Sequence, residues 1–437
     1  MNSLQRRIDA FSSRLRKVKE NHLYYYLQQV DALNGARVTI GGREMIMFSS
    51  YSYLALIDHP GIKAAANAAT SEFGTGTHGV RILAGTTKLH VELERRLAEF
   101  MGTEDAIAYN SGFLGNVATI SSFVGKGDAV IVDQLSHASL VDGARLSGAE
   151  FIWFQHNDPS DLERILRDAE GRYRGKLVVV DGVYSMDGDV APVPELLELV
   201  RKYDAWLLVD EAHSLGVLGR TGHGIKEYFG LPDDAIDITT GSLSKTLPAV
   251  GGFVAGKADF IAFLRHNARG FVFSAALPPA ATAAAKAALD VIEEEQWRIA
   301  KLRANIKRFV DGLHDLGYDT LNSKSAVIPI IIGEEEKTLK LTMLLHEDGI
   351  FICPILPPAV PPKTCRLRAN VLASHTDEDI DRALDALGRA GKKLGIIGGG
   401  QGSAKGASAG EGGSERAPEP ELEPAMEVAT GVVSAGR

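Results

Sequence analysis

From residue 106 to residue 255 the chain alternates short runs rich in β-branched residues with helix-forming stretches, and this rhythm admits few folds. The runs fall at 129–133, 151–154, 177–181, 206–210 and 252–255. Several, such as LVVVD and WLLVD, are apolar up to a closing Asp, as expected of strands covered on both faces and joined by helical crossovers. The pattern predicts an α/β architecture with a mostly parallel sheet flanked by helices. In such sheets ligands bind beyond the carboxyl ends of the strands, so the residues just after each run are where chemistry is to be sought.

After Pro279 a long helical pattern carries Ile299, Leu302, Ile306, Phe309 and Leu313 on one apolar stripe, the signature of a helix bridging two domains. A smaller α/β unit follows. Its predicted strands lie at 327–332 and 350–353, and its closing helix starts at Asp377 with Thr376 as N-cap. The chain thus divides into a helical arm with short strands (1–50), a large ligand-binding domain (51–278), a small α/β domain (279–397) and a tail (398–437). Gly, Ala, Ser, Pro and Glu dominate the tail without apolar periodicity, which predicts disorder.

Charge and cysteine usage remove other classes. A net charge of −9 over 437 residues, with no Lys/Arg-rich run, speaks against nucleic-acid binding. Cys353 and Cys365, the two cysteines, offer neither metal-ligand spacing nor a disulfide framework. Charges interrupt the apolar positions of the N-terminus, unlike a signal peptide, and a cytoplasmic protein is expected. The longest apolar stretch, 275–292, contains Pro278, Pro279 and Lys286 and reads as a packed helix; peripheral association with a membrane stays open.

The sharpest chemical signal is the set Asp210, His213 and Lys245, in WLLVDEAHS and TTGSLSKT. Asp210 ends a strand and His213 follows at the same sheet edge. A carboxylate there can hold the protonated ring nitrogen of pyridoxal phosphate (PLP) and keep that ring an electron sink. Lys245 follows a second strand in a run of small residues, Gly241, Ser242 and Ser244, and suits Schiff-base chemistry. Singly, such an Asp is more often a turn residue and such a Lys a surface group; as a spaced set they point to PLP. Upstream, AIAYNSGFLGN reads as strand, turn and helix, so backbone N–H groups at Ser111, Gly112 and Phe113 form a candidate phosphate cradle. His137, four residues past the run ending at Asp133, is placed to stack on a flat ring.

With these residues in hand, the chain resembles the α-oxoamine synthases, fold-type I PLP enzymes, over about Phe48 to Gly395. The strings that carry the likeness include GVRILAGTTKLHVELE, SGFLGN, LSHASLVDG, DGVYSMDGDVAP, VDEAHSLGVLG, GSLSKT, FSAALPPA and PPAVPPKTCRLR. The resemblance implies a seven-stranded sheet in the large domain and decarboxylative condensation of an amino acid with an acyl thioester to an α-amino ketone.

It also implies roles. Lys245 would carry the cofactor and act as base; Asp210 would hold the pyridinium, and His213, assisted by Ser185, its phenolic oxygen. His137 would stack on the ring, while Gly112, Phe113, Ser242 and Ser244 would bind its phosphate. Ser274 would reach in from the second subunit of a homodimer with interfacial sites. Arg368 and Tyr51 would face the substrate.

Within the family, SSYSYLAL, VDEAHS, FSAALPP and PPAVP are most similar to bacterial serine palmitoyltransferase. This implies L-serine and palmitoyl-CoA as substrates, 3-ketodihydrosphingosine as product and a place at the head of sphingolipid biosynthesis. Ser52, where that enzyme has Asn, and Val80, where it has Ser, depart from it, and Val80–Arg81 looks more like glycine C-acetyltransferase. Another member using glycine or L-alanine, or an acyl carrier protein thioester as in 8-amino-7-oxononanoate synthase, is the alternative. A non-catalytic partner subunit would lack Lys245.

Overall fold

A computed structural model describes residues 2–21 and 23–398; beyond Gly398, the tail expected to be disordered lies outside the described residues. Seven strands form the central sheet in the spatial order Asp105–Tyr109, Gly252–Gly256, Ile238–Ser242, Trp206–Asp210, Lys176–Asp181, Ala129–Asp133, Glu150–Phe154. Only Gly252–Gly256 runs antiparallel to its neighbours. The expected mostly parallel, helix-flanked sheet is what the chain forms.

The apolar runs explain themselves in the packing. Along adjacent strands, Val178, Val180, Leu207 and Val209 enter one core layer, while Leu177, Val179 and Leu208 enter the layer on the other side. Both faces are covered by helices, so no residue in the middle of these strands can be polar without losing its water. Polar groups therefore collect at the strand ends. Asp133, Asp181 and Asp210 close three neighbouring strands, all buried.

Two smaller sheets lie beside this layer. Ala32–Asn34, Arg37–Ile40 and Arg43–Met47 form an antiparallel meander, to whose last strand Ile350–Phe351 adds in parallel. Val327–Gly333, Cys365–Asn370 and Cys353–Ile355 form the other, with Cys365–Asn370 in the centre. The single strand expected at 350–353 is thus two strands in two sheets, because the chain changes partner at Ile352. Cys365–Asn370 was not expected as a strand at all. Its Arg366 and Arg368 are buried beside Leu367, and two arginines in six residues read as an exposed segment.

The helix Trp297–Leu316 buries Ile299, Leu302, Phe309 and Leu313, four of the five stripe residues, and the helix Asp377–Lys393 is capped by Thr376 as read. Among the described residues no helix is long and apolar enough to cross a membrane.

Candidate active site

The carboxyl ends of the central strands bring the predicted residues together. Lys245 lies three residues beyond Ile238–Ser242, and its Nζ sits 2.8 Å from His213 Nε2. Asp210, at the end of Trp206–Asp210, is anchored through both oxygens: Oδ1 accepts from the Ala212 N–H at 2.9 Å and Oδ2 from the Asn116 amide at 2.7 Å. Asn116 also donates to Ser139 Oγ at 2.9 Å, and that hydroxyl lies 2.8 Å from His137 Nδ1. An unbroken chain of hydrogen bonds thus links Asp210 to His137. The His137 backbone N–H donates to Asp181 Oδ2 at 2.9 Å, fixing the loop that carries the imidazole.

Ser111 caps the helix Gly112–Phe123, its Oγ accepting from the Leu114 N–H at 3.1 Å. The N–H groups of Gly112 and Phe113 are left without helical acceptors. The packing here is close. A Cβ on Gly112 would lie 3.4 Å from the Gly241 carbonyl and 3.5 Å from Ser242 Cβ, so the helix N-terminus abuts the strand leading to Lys245. Ser242 and Ser244 hydroxyls lie 2.9 Å apart at that junction. Two N–H groups at a helix N-terminus and two hydroxyls make an anion cradle next to an amine.

Arg368 reaches the same place from the central strand of the small sheet. It is buried; one amino group donates to the Tyr51 hydroxyl at 3.0 Å, while Nε and the other amino group have no acceptor among the described residues. A buried guanidinium with open donors is a receptor for a carboxylate. Tyr51 lies under both cations, its ring centroid 4.9 Å from the Arg368 guanidinium and 5.8 Å from Lys245 Nζ. Ser274 is expected to serve a second subunit's site, and Ser185 to stand near the cluster without bonding to it. Ser185 lies half-buried in the turn after Lys176–Asp181, and Ser274 lies beside Val80 and Asn110, where Val80 bridges to Ala275. Among the described residues no hydrogen bond joins either to Lys245, His213 or Asp210.

Burial and neighbouring charge set the protonation states. Burial pushes the Lys245 amine down to about 8, with Arg368 adding to the fall and Asp210 and Asp181 opposing it. Burial also holds His213 well below its ordinary value, helped by Lys245, Arg368 and His137. His137 is lowered by burial, against the pull of Asp210. Asp181 is raised well above the carboxylate range by burial and then by Asp210, its partner across the strand pair. The site therefore offers an amine able to shed its proton near neutrality and two neutral imidazoles.

Sequence reasoning missed Asn116, Asp181 and Tyr53. Tyr53 is fully buried with its hydroxyl 2.7 Å from His213 Nδ1, but within SYLAL it reads as a core residue. Asp181 carried a legible signal, since it ends an apolar run as Asp210 does.

The donor set fits PLP: an anion cradle, an anchored carboxylate, a lysine amine and an imidazole converge on one cleft. Comparison with known proteins agrees. The family described as aminotransferase class I and II matches residues 43–387. An 8-amino-7-oxononanoate synthase of Thermoanaerobacter pseudethanolicus is 44% identical over 390 residues, 89% of this chain and 98% of that protein. The enzyme of that name from Geobacter sulfurreducens is 43% identical over 390 residues, 89% and 99% of the two chains. Among solved structures, a serine palmitoyltransferase variant from S. paucimobilis with bound PLP and myriocin superposes with a TM-score of 0.87. It is 32% identical and covers 91% of this chain and 100% of its own.

These findings correct the expectation of a serine palmitoyltransferase in sphingolipid biosynthesis. Identity over nearly full length is 44% and 43% to 8-amino-7-oxononanoate synthases, against 32% to the palmitoyltransferase structure. The strings SSYSYLAL and VDEAHS lie around the Lys245 cluster, in Tyr51, Tyr53, Asp210 and His213, and do not separate differently named members of the family. Ser52 and Val80 departed from the palmitoyltransferase pattern, although Val80–Arg81 was read towards glycine C-acetyltransferase.

Proposed function

Because the chain belongs to the class I and II aminotransferase family, and within it to the PLP-dependent α-oxoamine synthases, we propose that it makes 8-amino-7-oxononanoate. The near-complete coverage of relatives bearing that name carries the proposal. The product's structure dictates the substrates. Cutting between the ketone carbon and the amine-bearing carbon leaves an aminoethyl unit, which is L-alanine less CO2, and a seven-carbon dicarboxylic acyl group. The reaction joins L-alanine to that acyl group as its thioester, with loss of CO2 and free thiol, a step of biotin biosynthesis.

Bound PLP supplies an electron-withdrawing ring that takes up the electron pair left at the amino acid's Cα. The phosphate falls to the Gly112 and Phe113 N–H groups with Ser242 and Ser244, and the ring nitrogen's proton to Asp210, which Asn116 and Ala212 keep from turning away. Arg368 takes the amino acid's carboxylate on its two open donors. Lys245, lowered to about 8 by burial, removes the Cα proton. The reading includes a homodimer: exposed Leu83 and Phe273 flank the Val80–Ala275 bridge beside Ser274, an apolar patch that a second copy would cover.

The test is thiol release from pimeloyl-CoA, a pimeloyl carrier-protein thioester and palmitoyl-CoA, each with L-alanine, glycine and L-serine. Release with L-alanine and a pimeloyl thioester is expected. Release confined to another amino acid, or to palmitoyl-CoA, overturns the substrate assignment while leaving the reaction class in place.

A further inference from the structure

Among the described residues, Tyr53 makes no hydrogen bond to Lys245, and its hydroxyl is the group that meets the far nitrogen of His213. We propose that Tyr53 is a positioning residue that locks His213 in its Nε2–H tautomer, so that a hydrogen-bond donor always faces Lys245 and whatever acceptor binds there. The inference rests on the PLP reading only for the identity of that acceptor.

Three observations carry it. The first is contact geometry: Tyr53 O–H to His213 Nδ1 is 2.7 Å and His213 Nε2 to Lys245 Nζ is 2.8 Å, so both ring nitrogens are engaged and the ring cannot turn. The second is proton count. Burial raises the Tyr53 hydroxyl above its ordinary value and holds His213 well below its own, so a neutral phenol meets a neutral imidazole and each has one proton to place. The third is charge. Burial raises the Tyr53 hydroxyl and the Arg368 cation acts against that rise, and a positive charge near the oxygen favours its lone pairs over its O–H, which leaves the O–H for Nδ1. With Nδ1 accepting, the imidazole proton must sit on Nε2.

The consequence for Lys245 has a sign. An Nε2–H donor facing Nζ favours the amine with its lone pair free and disfavours the ammonium. It adds to burial and Arg368, against Asp210 and Asp181, in keeping Lys245 deprotonated. The same donor would serve an oxygen of the cofactor ring when it is bound. Without Tyr53 the imidazole could take the other tautomer, present a bare Nε2 and stabilise the ammonium. Arg368 donates to Tyr51, whose ring meets His213 edge-on with centroids 5.8 Å apart, so the carboxylate subsite and the base share His213 as a neighbour.

The deciding measurement is the long-range 1H–15N spectrum of histidine rings in the cofactor-free full chain, with His213 assigned by its loss in His213→Asn. The expected result is a neutral His213 with its proton on Nε2. A proton on Nδ1 overturns the proposal without any tyrosine variant being made. In Tyr53→Phe the signal should move towards the Nδ1–H form, and the pH midpoint of cofactor capture, read by visible absorbance, should rise above the wild-type value. An unchanged tautomer and midpoint in a variant with the wild-type circular dichroism would show that Tyr53 only fills space. Failure of the substrate assignment would leave both readouts untouched.

Discussion

Lys245 is the residue on which most of the chemistry turns, and its environment makes two demands that can be measured. Its Nζ lies 2.8 Å from an imidazole nitrogen and 5.8 Å from an aromatic ring centroid, and burial together with Arg368 makes it shed its proton more readily than a lysine in water does. Capture of PLP by the cofactor-free chain should therefore quicken as pH rises towards about 8 and level off above it, since only the neutral amine attacks a carbonyl. Stopped-flow absorbance would show this; a rate flat below that pH contradicts the assigned state. Lys245→Ala should remove the visible absorbance of the bound cofactor and lower turnover by at least about 10²–10⁴-fold, the range that proton transfer alone supplies. Lys245, Asp210 and His213 were legible because each is the residue type the chemistry needs, standing just past an apolar run. Asn116 and Tyr53 were not, since an amide inside a helix and a phenol inside an apolar string have ordinary packing roles that no spacing distinguishes.

Elements hold these residues in place, and one clamp shows how firmly. His156, just beyond the strand Glu150–Phe154, donates from Nδ1 to Asp133 at 2.9 Å and from Nε2 to Asp189 at 2.8 Å, and its ring meets Tyr184 edge-on. It ties the end of Ala129–Asp133 to the turn that carries Ser185. The two carboxylates overcome burial and raise the imidazole from 6.5 to about 10. A bound proton that the unfolded chain gives up stabilises the folded one. That contribution is full below pH 6.5, fades as pH climbs and is lost above about 10. His156→Gln should lower stability near neutrality by roughly 3–5 kcal/mol, as when one partner of a buried pair is removed. The gap between wild type and variant in chemical denaturation should narrow towards pH 10; a constant gap would show that the imidazolium is not what matters. The strands of the large sheet were readable to within a residue or two, because burial on both faces writes a continuous apolar run. Cys365–Asn370 escaped, because a strand that must present Arg368 to a cleft and pair Arg366 with Asp187 breaks the rule that buried strands are apolar.

For the whole molecule, exposed apolar groups are the strongest statement about association. Leu83 is 82% and Phe273 70% exposed, and the segments bearing them meet at the Val80–Ala275 bridge. Leu83→Glu should shift the chain from dimer to monomer in sedimentation and weaken retention of PLP by roughly tenfold or more, about 1.4 kcal/mol. A variant that stays dimeric with full cofactor refutes this surface as the interface. The small sheets have a further consequence, for synthesis. Arg43–Met47 has Arg37–Ile40 on one side, but the strand that covers its other side, Ile350–Phe351, is translated some three hundred residues later. Until the ribosome has delivered that late segment, the early one presents an open row of backbone donors and acceptors, the kind of edge on which unfinished chains adhere to one another. The arginine meant for the substrate is later still. The nascent protein thus passes through a long interval in which its central sheet can be complete and its cleft cannot, and chaperone dependence should track the speed at which the last hundred residues are made.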